Sequence, residues 1–194
     1  MRFFATLGFV SCMVLQAATP PTETPKPAPE MVINMPDGTQ KLLSSFRGKV
    51  VVLDFIFTTC PHCQHAAQVF TQLYNEYGSK GFQPLSVAFN DDIQSQPAQA
   101  VNEFVRNFRV GYPVGYSDRA KVLDFLGFSV MDRLVVPQIV WIDRKGMIRS
   151  KTTPSENEQN KNLWQDAYWR EMVDTLTKEP ATPTKAVHHT SAKR

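Results

Sequence analysis

A β-strand that leads directly into two cysteines constrains the fold of this chain more than any other feature. Residues 50–57 are apolar except for Asp54, which is the pattern of a strand buried on both faces of a sheet. After two threonines, the motif 60–63 (Cys-Pro-His-Cys) opens a stretch with apolar residues at helical spacing up to Tyr77. Proline suits the first turn of a helix, where its missing N–H costs nothing. We therefore predict a buried strand, a short turn and a helix that begins at the two cysteines.

The position of the motif predicts different roles for its two thiols. Unpaired N–H groups and the positive end of the helix dipole stabilise a thiolate at Cys60, and a protonated His62 lowers the pKa of Cys60 further. Cys60 is therefore the predicted nucleophile. Cys63 lies one helical turn away, close enough to attack the mixed disulfide that Cys60 forms with a partner, so it is the predicted resolving thiol. The alternative for His62 is a solvated residue at the start of a helix.

Two cysteines at this spacing also occur in structural disulfides and in zinc sites. A complete zinc site needs a second pair of ligands, and the sequence has no second cysteine pair. Gln64 follows Cys63 in place of the histidine that covalent haem attachment requires. We predict a redox-active pair with no bound metal and no cofactor, and a structural disulfide is the alternative.

Residues 1–18 are predicted to be a secretory signal peptide. Arg2 precedes an apolar stretch that ends in small residues and is short for a membrane span. Lipidation at Cys12, or retention of the segment as an anchor, are the alternatives. In each case the folded part is expected outside the cytoplasm, in the periplasm or secreted, where disulfides persist. The domain that follows then has only the two cysteines of the motif.

Composition divides the rest of the chain into a linker, one domain and a tail. Residues 19–30 are a proline-rich spacer, expected to be extended and unable to pack a core. Residues 31–179 have the length of one globular domain. Residues 180–194 are predicted to be a disordered basic tail, which supplies much of the formal net charge of +3. We therefore predict no nucleic-acid binding, and we assign the two tail histidines to polarity rather than to a metal site.

The domain is predicted to be α/β, with strands and helices alternating along the chain. A hairpin that turns at residues 36–38 precedes the buried strand and the motif helix. A strand, a helix, a short strand and a helix follow, and then a hairpin that turns at residues 143–146. A last helix is predicted over Gln159–Thr177 from its apolar stripe. This order gives a mixed sheet with helices on both faces.

Residues 31–176 resemble the thioredoxin-like thiol-disulfide oxidoreductases, in the extracytoplasmic branch related to peroxiredoxins and to cytochrome c maturation reductases. The resemblance is carried by 37–43, 46–55, the motif 60–63, Val136-Pro137 and 142–146. It implies a thioredoxin fold with three layers, a mixed central sheet, an N-terminal β-hairpin and a strand-helix insert before a cis-proline. It also implies an enzyme that exchanges disulfides, with cytochrome c maturation and antioxidant activity as associated processes.

The same resemblance implies roles for residues other than the thiols. Pro137 is expected to be the cis-proline and to lie against the active-site disulfide, which exposes the Val136 backbone for pairing with a substrate peptide. Pro61 is also expected to contact substrate. Asp54 falls where thioredoxins carry a buried acid and is the candidate proton acceptor for Cys63. The alternative for Asp54 is an acid that is neutral or hydrogen-bonded within the core.

Two departures from the family pattern bear on function. Thr59 replaces the tryptophan that usually precedes the first cysteine, and the lead-in Thr-Thr-Cys-Pro is similar to that of copper-delivering thioredoxin-like proteins of cytochrome oxidase assembly. Those proteins have one more residue between their cysteines and a distant histidine ligand. This chain has neither feature, because His62 and His65 are local to the motif, so a copper-binding assembly factor is kept only as the alternative function. Phe57 replaces the threonine with which peroxiredoxins orient peroxide, which argues against peroxidase chemistry.

Indications of the redox direction conflict. A Pro-His pair between the cysteines is typical of oxidising, disulfide-donating proteins, because a stabilised thiolate raises the reduction potential. The interval from Cys63 to Pro137 matches instead the insert of the reductase branch. We predict a thiol-disulfide oxidoreductase with the reductase direction slightly favoured. Its predicted partners are cysteine-containing protein substrates and an upstream redox donor or acceptor. We expect a monomer, with the N-terminal segment as a candidate membrane tether.

Overall fold

The computed structural model describes residues 25–158 and 160–180. Its strands are β1 (Lys26–Pro27), β2 (Val32–Asn34), β3 (Gln40–Leu42), β4 (Val50–Ile56), β5 (Phe82–Ala88), β6 (Val114–Tyr116), β7 (Gln138–Ile142) and β8 (Met147–Lys151). Its α-helices are α1 (Pro61–Tyr77), α2 (Pro97–Phe108), α3 (Arg119–Leu126) and α4 (Asp166–Lys178). No helix in the described ranges is long and apolar enough to span a membrane. The predicted signal peptide, Cys12 and tail residues 181–194 lie outside the described residues.

The strands form one mixed sheet in the order β1-β8-β7-β4-β5-β6-β2-β3. β4, β5 and β6 are parallel to one another, and the other neighbours are antiparallel. β4 pairs with β5 on one side and with β7 on the other, so its carboxyl end, where the motif begins, meets the first residue of β7. The predicted fold class is confirmed, including the N-terminal hairpin of β2 and β3 and the strand-helix insert before Pro137.

Side chains alternate between the two faces of β4, and each face packs a separate hydrophobic core. One face packs against α1, α2 and α4 and contributes Val50, Val52 and Ile56. The other face packs against α3 and the N-terminal hairpin and contributes Val51, Leu53 and Phe55. By the same alternation Asp54 lies on the first face, beneath the motif helix. The sheet is therefore the middle of three layers, as predicted.

The N-terminal border of the folded part differs from the prediction. Residues 26–27 form β1 and pair with residues 147–148 of β8 at the edge of the sheet. Ala28 is buried in the core on the α3 side, and its N–H donates to the carbonyl oxygen of Gly146 (2.9 Å). Residues 26–28, expected to belong to a spacer that cannot pack, therefore contact the domain. A proline is tolerated here because an edge strand needs hydrogen bonds on one side only.

The last helix is shorter than predicted. Residues Lys161–Trp164 form a separate 3-10 turn, and Gln165 is extended (φ −90°, ψ 137°) before α4 begins. The indole N–H of Trp164 donates to the carbonyl oxygen of Pro137 (2.8 Å). This contact joins the 3-10 turn to the loop before β7, and tertiary contacts of this kind override local helix propensity. The prediction of a continuous helix is wrong on the N-terminal side of α4.

Candidate active site

The motif lies at the start of α1, at the carboxyl end of the central strand β4. Cys60 is the residue before the helix, with an extended backbone (φ −79°, ψ 121°), and Pro61 is the first helical residue. The first N–H groups of a helix have no partner within it, so they are available to the sulfur of Cys60. Cys60 is partly exposed, whereas Cys63 is fully buried in the core beneath α1. Both are free thiols, so the structure represents the dithiol state.

The environment of Cys60 favours its thiolate. The pKa of Cys60 is lowered to about 6, first because the Cys63 thiol donates a hydrogen bond to the Cys60 sulfur. The backbone N–H groups of Cys63 and His62 act in the same direction, and the charge of His62 is the smallest of these effects. Partial burial of Cys60 opposes them. At neutral pH the thiolate form of Cys60 therefore predominates.

Cys63 has the opposite environment. Burial raises the pKa of its thiol well above the usual range, and the hydrogen bond to Cys60 and the negative charge of Asp54 raise that pKa further. A buried thiolate would lack water around it, so the thiol keeps its proton until a base removes it. The two sulfurs therefore differ in both exposure and acidity.

A buried acid lies beneath the motif. Asp54 is fully buried, and this burial raises the pKa of its carboxyl group to about 8. Ser86 of β5 donates a hydrogen bond to Asp54 Oδ2 (3.1 Å), which acts in the opposite direction. The negative charge of the Cys60 thiolate raises the pKa of Asp54 further, and the negative charge of Asp54 raises the pKa of Cys63. Asp54 can therefore gain or lose a proton near neutral pH when the ionisation of the cysteine thiols changes.

The loop before β7 lies against the exposed cysteine. Its Val136–Pro137 peptide bond is cis, as the resemblance implies. The sulfur of Cys60 lies 3.7 Å from the carbonyl oxygen of Val136, so the thiol form can donate to it. Within the described residues, no acceptor takes the N–H of Val136. The Val136 backbone therefore adjoins the reactive sulfur and keeps a free donor.

A buried glutamine fixes this loop. The amide nitrogen of Gln138 donates to the carbonyl oxygens of Val135 (2.7 Å) and Thr153 (3.0 Å). Its amide oxygen accepts a hydrogen bond from the hydroxyl of Thr152 (2.7 Å). The side chain of Gln138 is completely buried, so its amide group depends on these bonds. The loop is thereby attached to the segment that follows β8.

A groove of about 400 Å³ opens beside the loop. Its apolar lining includes Leu134, Val136, Pro137 and Trp164, and its polar lining includes His62, His65 and Glu156. Because the groove is lined by His62 of the motif and by Val136 of the loop, it adjoins the exposed sulfur of Cys60. It is therefore a surface on which the residues around a partner cysteine can lie.

The two histidines of α1 have different contacts. His65 Nε2 lies 3.0 Å from both carboxylate oxygens of Asp166, at the start of α4. His62 is exposed at the first turn of α1, beside the thiols. Of these two histidines, His62 is the one that lowers the pKa of Cys60, through its backbone N–H and its charge. In the part of the chain that the structure describes, no three side chains of the metal-binding types are grouped to hold an ion.

All predicted site residues lie together where the end of β4, the start of α1 and the loop before β7 meet: Asp54, Cys60, Pro61, His62, Cys63, Val136 and Pro137. The structure adds Gln138 and Ser86, which sequence reasoning missed. Both are polar residues at buried positions of apolar strands, and that exception to the apolar pattern was the available signal.

Comparison with known proteins identifies the family of this chain. The Redoxin family model matches residues 23–166. The chain belongs to the Redoxin family. It is 25% identical over 133 residues to "Thiol-disulfide oxidoreductase ResA" of Geobacillus thermodenitrificans (strain NG80-2), covering 69% of this chain and 71% of that protein. The protein of the same name from Bacillus thuringiensis subsp. konkukian (strain 97-27) is 28% identical over 127 residues, covering 65% and 67%.

Solved structures show the same fold. A thiol:disulfide interchange protein of the thioredoxin family from Chlorobium tepidum TLS has a TM-score of 0.63 at 21% identity, covering 80% of this Redoxin-family chain and 98% of that one. A thiol:disulfide interchange protein from Bacteroides sp. has a TM-score of 0.59 at 19% identity, covering 87% and 97%. With the named relatives, the family match and the paired thiols, this Redoxin-family protein is a thiol-disulfide oxidoreductase with a thioredoxin fold.

Proposed function

We propose that this protein exchanges a Cys60–Cys63 dithiol or disulfide with cysteine-containing partner proteins outside the cytoplasm. The observation that carries the proposal is the asymmetry of the two thiols. Cys60 is partly exposed and its pKa is lowered to about 6, whereas Cys63 is buried and its pKa is raised. An exposed thiolate attacks a partner, and a protected thiol keeps its proton until the mixed disulfide has formed.

In the reductive direction the Cys60 thiolate attacks one sulfur of a partner disulfide. The partner S–S bond breaks, a bond between Cys60 and the partner forms, and the other partner sulfur leaves as a thiolate. Asp54 takes the proton of Cys63, and the resulting thiolate attacks the Cys60 sulfur. The Cys60–Cys63 disulfide forms, the bond between Cys60 and the partner breaks, and the partner sulfur leaves as a second thiolate. Two electrons pass to the partner, whose two thiolates take up protons. Oxidation of a partner dithiol is the same sequence in reverse.

The loop before β7 and the groove beside it supply the proposed docking surface. An extended partner segment can pair with the free N–H of Val136 through its main chain, which does not depend on partner sequence. Pro61 and His62 are both exposed at the start of α1, directly after Cys60 in the chain. Apolar side chains next to the partner cysteine would enter the groove beside Pro137. Main-chain pairing thus gives affinity and the groove gives preference among partners.

The extracytoplasmic location is proposed from the signal-peptide pattern of residues 1–18 and from the stability of disulfides in oxidising compartments. The same segment is the proposed route to a membrane, as a lipid anchor at Cys12 or as an uncleaved anchor. Fractionation of cells that express the full chain tests this proposal. Recovery with the cytoplasmic proteins would contradict it.

The reductive direction is proposed from the segment between Cys63 and Pro137, which consists of β5, α2, β6 and α3. This is the insert expected of the reductase branch. Redox titration of the Cys60–Cys63 couple against glutathione tests the direction. A potential more negative than that of glutathione supports a reductase, and a much less negative one supports an oxidant.

Trapping of mixed disulfides tests the roles of the two thiols. Cys63→Ser removes the resolving thiol, so the disulfide between Cys60 and its partner should accumulate on non-reducing gels. Cys60→Ser is the matched control, since it keeps only the buried thiol and should trap little. Equal trapping by both variants would contradict a fixed nucleophile.

Insulin reduction and copper titration separate this function from the copper-binding alternative. The reduced protein should reduce insulin disulfides with a chemical thiol as electron source, and Cys60→Ser should abolish this activity. Stoichiometric copper binding without insulin reduction would instead support a copper-binding assembly factor.

A further inference from the structure

A chain of hydrogen bonds connects three buried side chains beneath the motif. Ser86 Oγ donates to Asp54 Oδ2 (3.1 Å) and lies 3.0 Å from the hydroxyl oxygen of Tyr112. The exposed fractions of Asp54, Ser86 and Tyr112 are 0%, 1% and 6%. A serine hydroxyl has one proton, and because Ser86 gives it to the carboxylate, the Tyr112 hydroxyl is the donor to Ser86. Both hydroxyl protons therefore point towards Asp54 and stabilise its ionised form.

The two oxygens of the Asp54 carboxyl group differ in their contacts. Oδ2 accepts the proton of Ser86, whereas Oδ1 is buried and has no hydrogen-bond partner among the described residues. Buried polar atoms without a partner are rare in folded proteins, and a catalytic role is one of the reasons they persist. Oδ1 is thus the oxygen of Asp54 with open acceptor capacity.

We propose that Ser86 and Tyr112 are positioning residues for the resolving step. They hold Oδ2 of Asp54 in the hydrogen-bond chain, and Oδ1 is the atom that receives the proton of Cys63. The S–H bond of Cys63 breaks and an O–H bond forms at Oδ1. The new thiolate then displaces the partner from Cys60, and the partner leaves as a thiolate that takes a proton from water. This inference rests on the proposed function, in which Asp54 is the base.

The titratable groups around the Asp54 carboxyl come from few elements. The motif contributes both thiols, and the segment before β6 contributes Tyr112, whose pKa is raised by burial and then by the charge of Asp54. Ile139 of β7 pairs opposite Asp54 and is apolar. The core residues of α2 and α4 on this face are apolar apart from Tyr168, whose pKa responds to burial, Ser150 and Glu171. The pH profile of the resolving step should therefore report on Asp54, the thiols and Tyr112.

A second buried tyrosine and serine supply a matched control. The hydroxyl oxygens of Tyr168 and Ser150 lie 2.6 Å apart, and both residues are buried. Tyr168→Phe, like Tyr112→Phe, removes a tyrosine hydroxyl that is hydrogen-bonded to a buried serine. Because Tyr168 is not bonded to Asp54, a loss of stability common to both variants can be separated from an effect on the carboxyl group.

The experiment follows the two thiols separately with the chromogenic disulfide dithiobis-nitrobenzoate. Attack by Cys60 releases one coloured thiol, and attack by Cys63 on the resulting mixed disulfide releases the second. The rate of the second release is measured across pH in the wild-type protein and in the variants Asp54→Asn, Ser86→Ala, Tyr112→Phe and Tyr168→Phe.

The variants should separate into three groups. Asp54→Asn should slow the second release by about 100-fold, the scale of general-base catalysis. Ser86→Ala should move the pH midpoint of the second release upward by about one pH unit and slow it about tenfold below the midpoint. Tyr112→Phe should move the midpoint in the same direction by less, because Ser86 still donates. Tyr168→Phe should leave the midpoint unchanged.

The outcomes that contradict the function and the inference are different. Absence of a two-step release in the wild-type protein would contradict the proposed function itself. The positioning role alone would be overturned by a different result. In that case Asp54→Asn slows the second release, but the pH midpoint in Ser86→Ala and in Tyr112→Phe is the same as in the control Tyr168→Phe. In addition, Tyr112→Phe should add no effect to Asp54→Asn, and an additive effect would show that Tyr112 acts by another route.

Discussion

The sulfur of Cys60 lies 3.7 Å from the carbonyl oxygen of Val136, although 76 positions separate the two residues in the chain. This contact joins the first turn of α1 to the loop before β7. The atom that attacks a partner and the backbone proposed to bind it are therefore held together by the fold. A displacement of either segment should change both reactivity and partner binding.

We predict a small but defined effect of His62→Ala on Cys60. Removal of a positive charge raises the pKa of Cys60 and destabilises the reduced form, so the protein becomes more reducing. Since the charge of His62 is the smallest of the effects that lower this pKa, the rise should stay below about one pH unit and the shift in potential below about 30 mV. The pH dependence of Cys60 alkylation and a glutathione titration measure the two quantities.

His65→Ala is the control for this prediction. His65 lies on the same helix but is bonded to Asp166, so its loss should leave the alkylation profile of Cys60 unchanged. An unchanged or less negative potential in His62→Ala would mean that His62 is only a solvated residue. Added salt should weaken the effect, because His62 is exposed.

We predict that Asp54→Asn stabilises the protein in a pH-dependent way. The pKa of Asp54 is raised in the fold, from near 4 to about 8, by burial. The contribution of Asp54 to the free energy of unfolding is therefore fully favourable below about pH 4, and it is lost as the pH rises towards 8. At neutral pH the variant should be more stable by about 2–4 kcal/mol, and the difference should vanish near pH 4.

Urea unfolding of the disulfide form measures this difference, because the thiols do not titrate in that form. A difference in unfolding free energy that is the same at acid and neutral pH would show that Asp54 is not penalised by burial. The gain in stability should accompany a loss of turnover, since Asp54 is the proposed base.

We predict that Trp164→Phe weakens partner binding without changing the acidity of Cys60. The substitution removes the indole N–H that donates to Pro137 and so loosens the cis-proline loop. Loss of about 1 kcal/mol corresponds to a KM for a disulfide peptide about fivefold higher. Trp141→Phe is the control, because Trp141 does not line the groove and its buried indole N–H has no hydrogen-bond partner among the described residues, so its loss should leave KM unchanged. A raised pKa of Cys60 in Trp164→Phe would contradict the prediction.

We predict that Gln138→Leu destabilises the fold by about 2–3 kcal/mol, although the side chains have similar volumes. The substitution leaves the buried hydroxyl of Thr152 and the carbonyl oxygens of Val135 and Thr153 without this partner. Thermal or urea unfolding measures the loss. Gln99→Leu is the comparison, since Gln99 is exposed, and it should change stability by less than about 0.5 kcal/mol. An equally small effect of Gln138→Leu would show that the loop does not depend on this side chain.

Local patterns predict the parts of this fold that local chemistry determines. The apolar run of β4 and the proline at the start of α1 identify the strand-to-helix junction, and the order of elements gives the mixed sheet. The cis state of Pro137 follows from the resemblance alone, because most bonds that precede a proline are trans.

Contacts between distant positions were not predictable in this way. The Ser86–Tyr112 contact spans 26 positions and the Trp164–Pro137 contact spans 27, and neither has a periodic signature. The second contact also explains why the helix prediction failed before α4, since the indole of Trp164 bonds the loop rather than continuing a helical stripe. A single sequence shows which polar residues fall in apolar strands but not which partners satisfy them.

β1 pairs with residues 147–148, next to the turn that joins β7 to β8. This turn is at the end of the sheet opposite the motif, because β7 is antiparallel to β4 and its first residue, Gln138, pairs with Phe55. The polypeptide that precedes β1 therefore enters the domain near the pole opposite Cys60. A tether to a surface would therefore be joined to the domain at a point separated from the reactive sulfur by the length of β4.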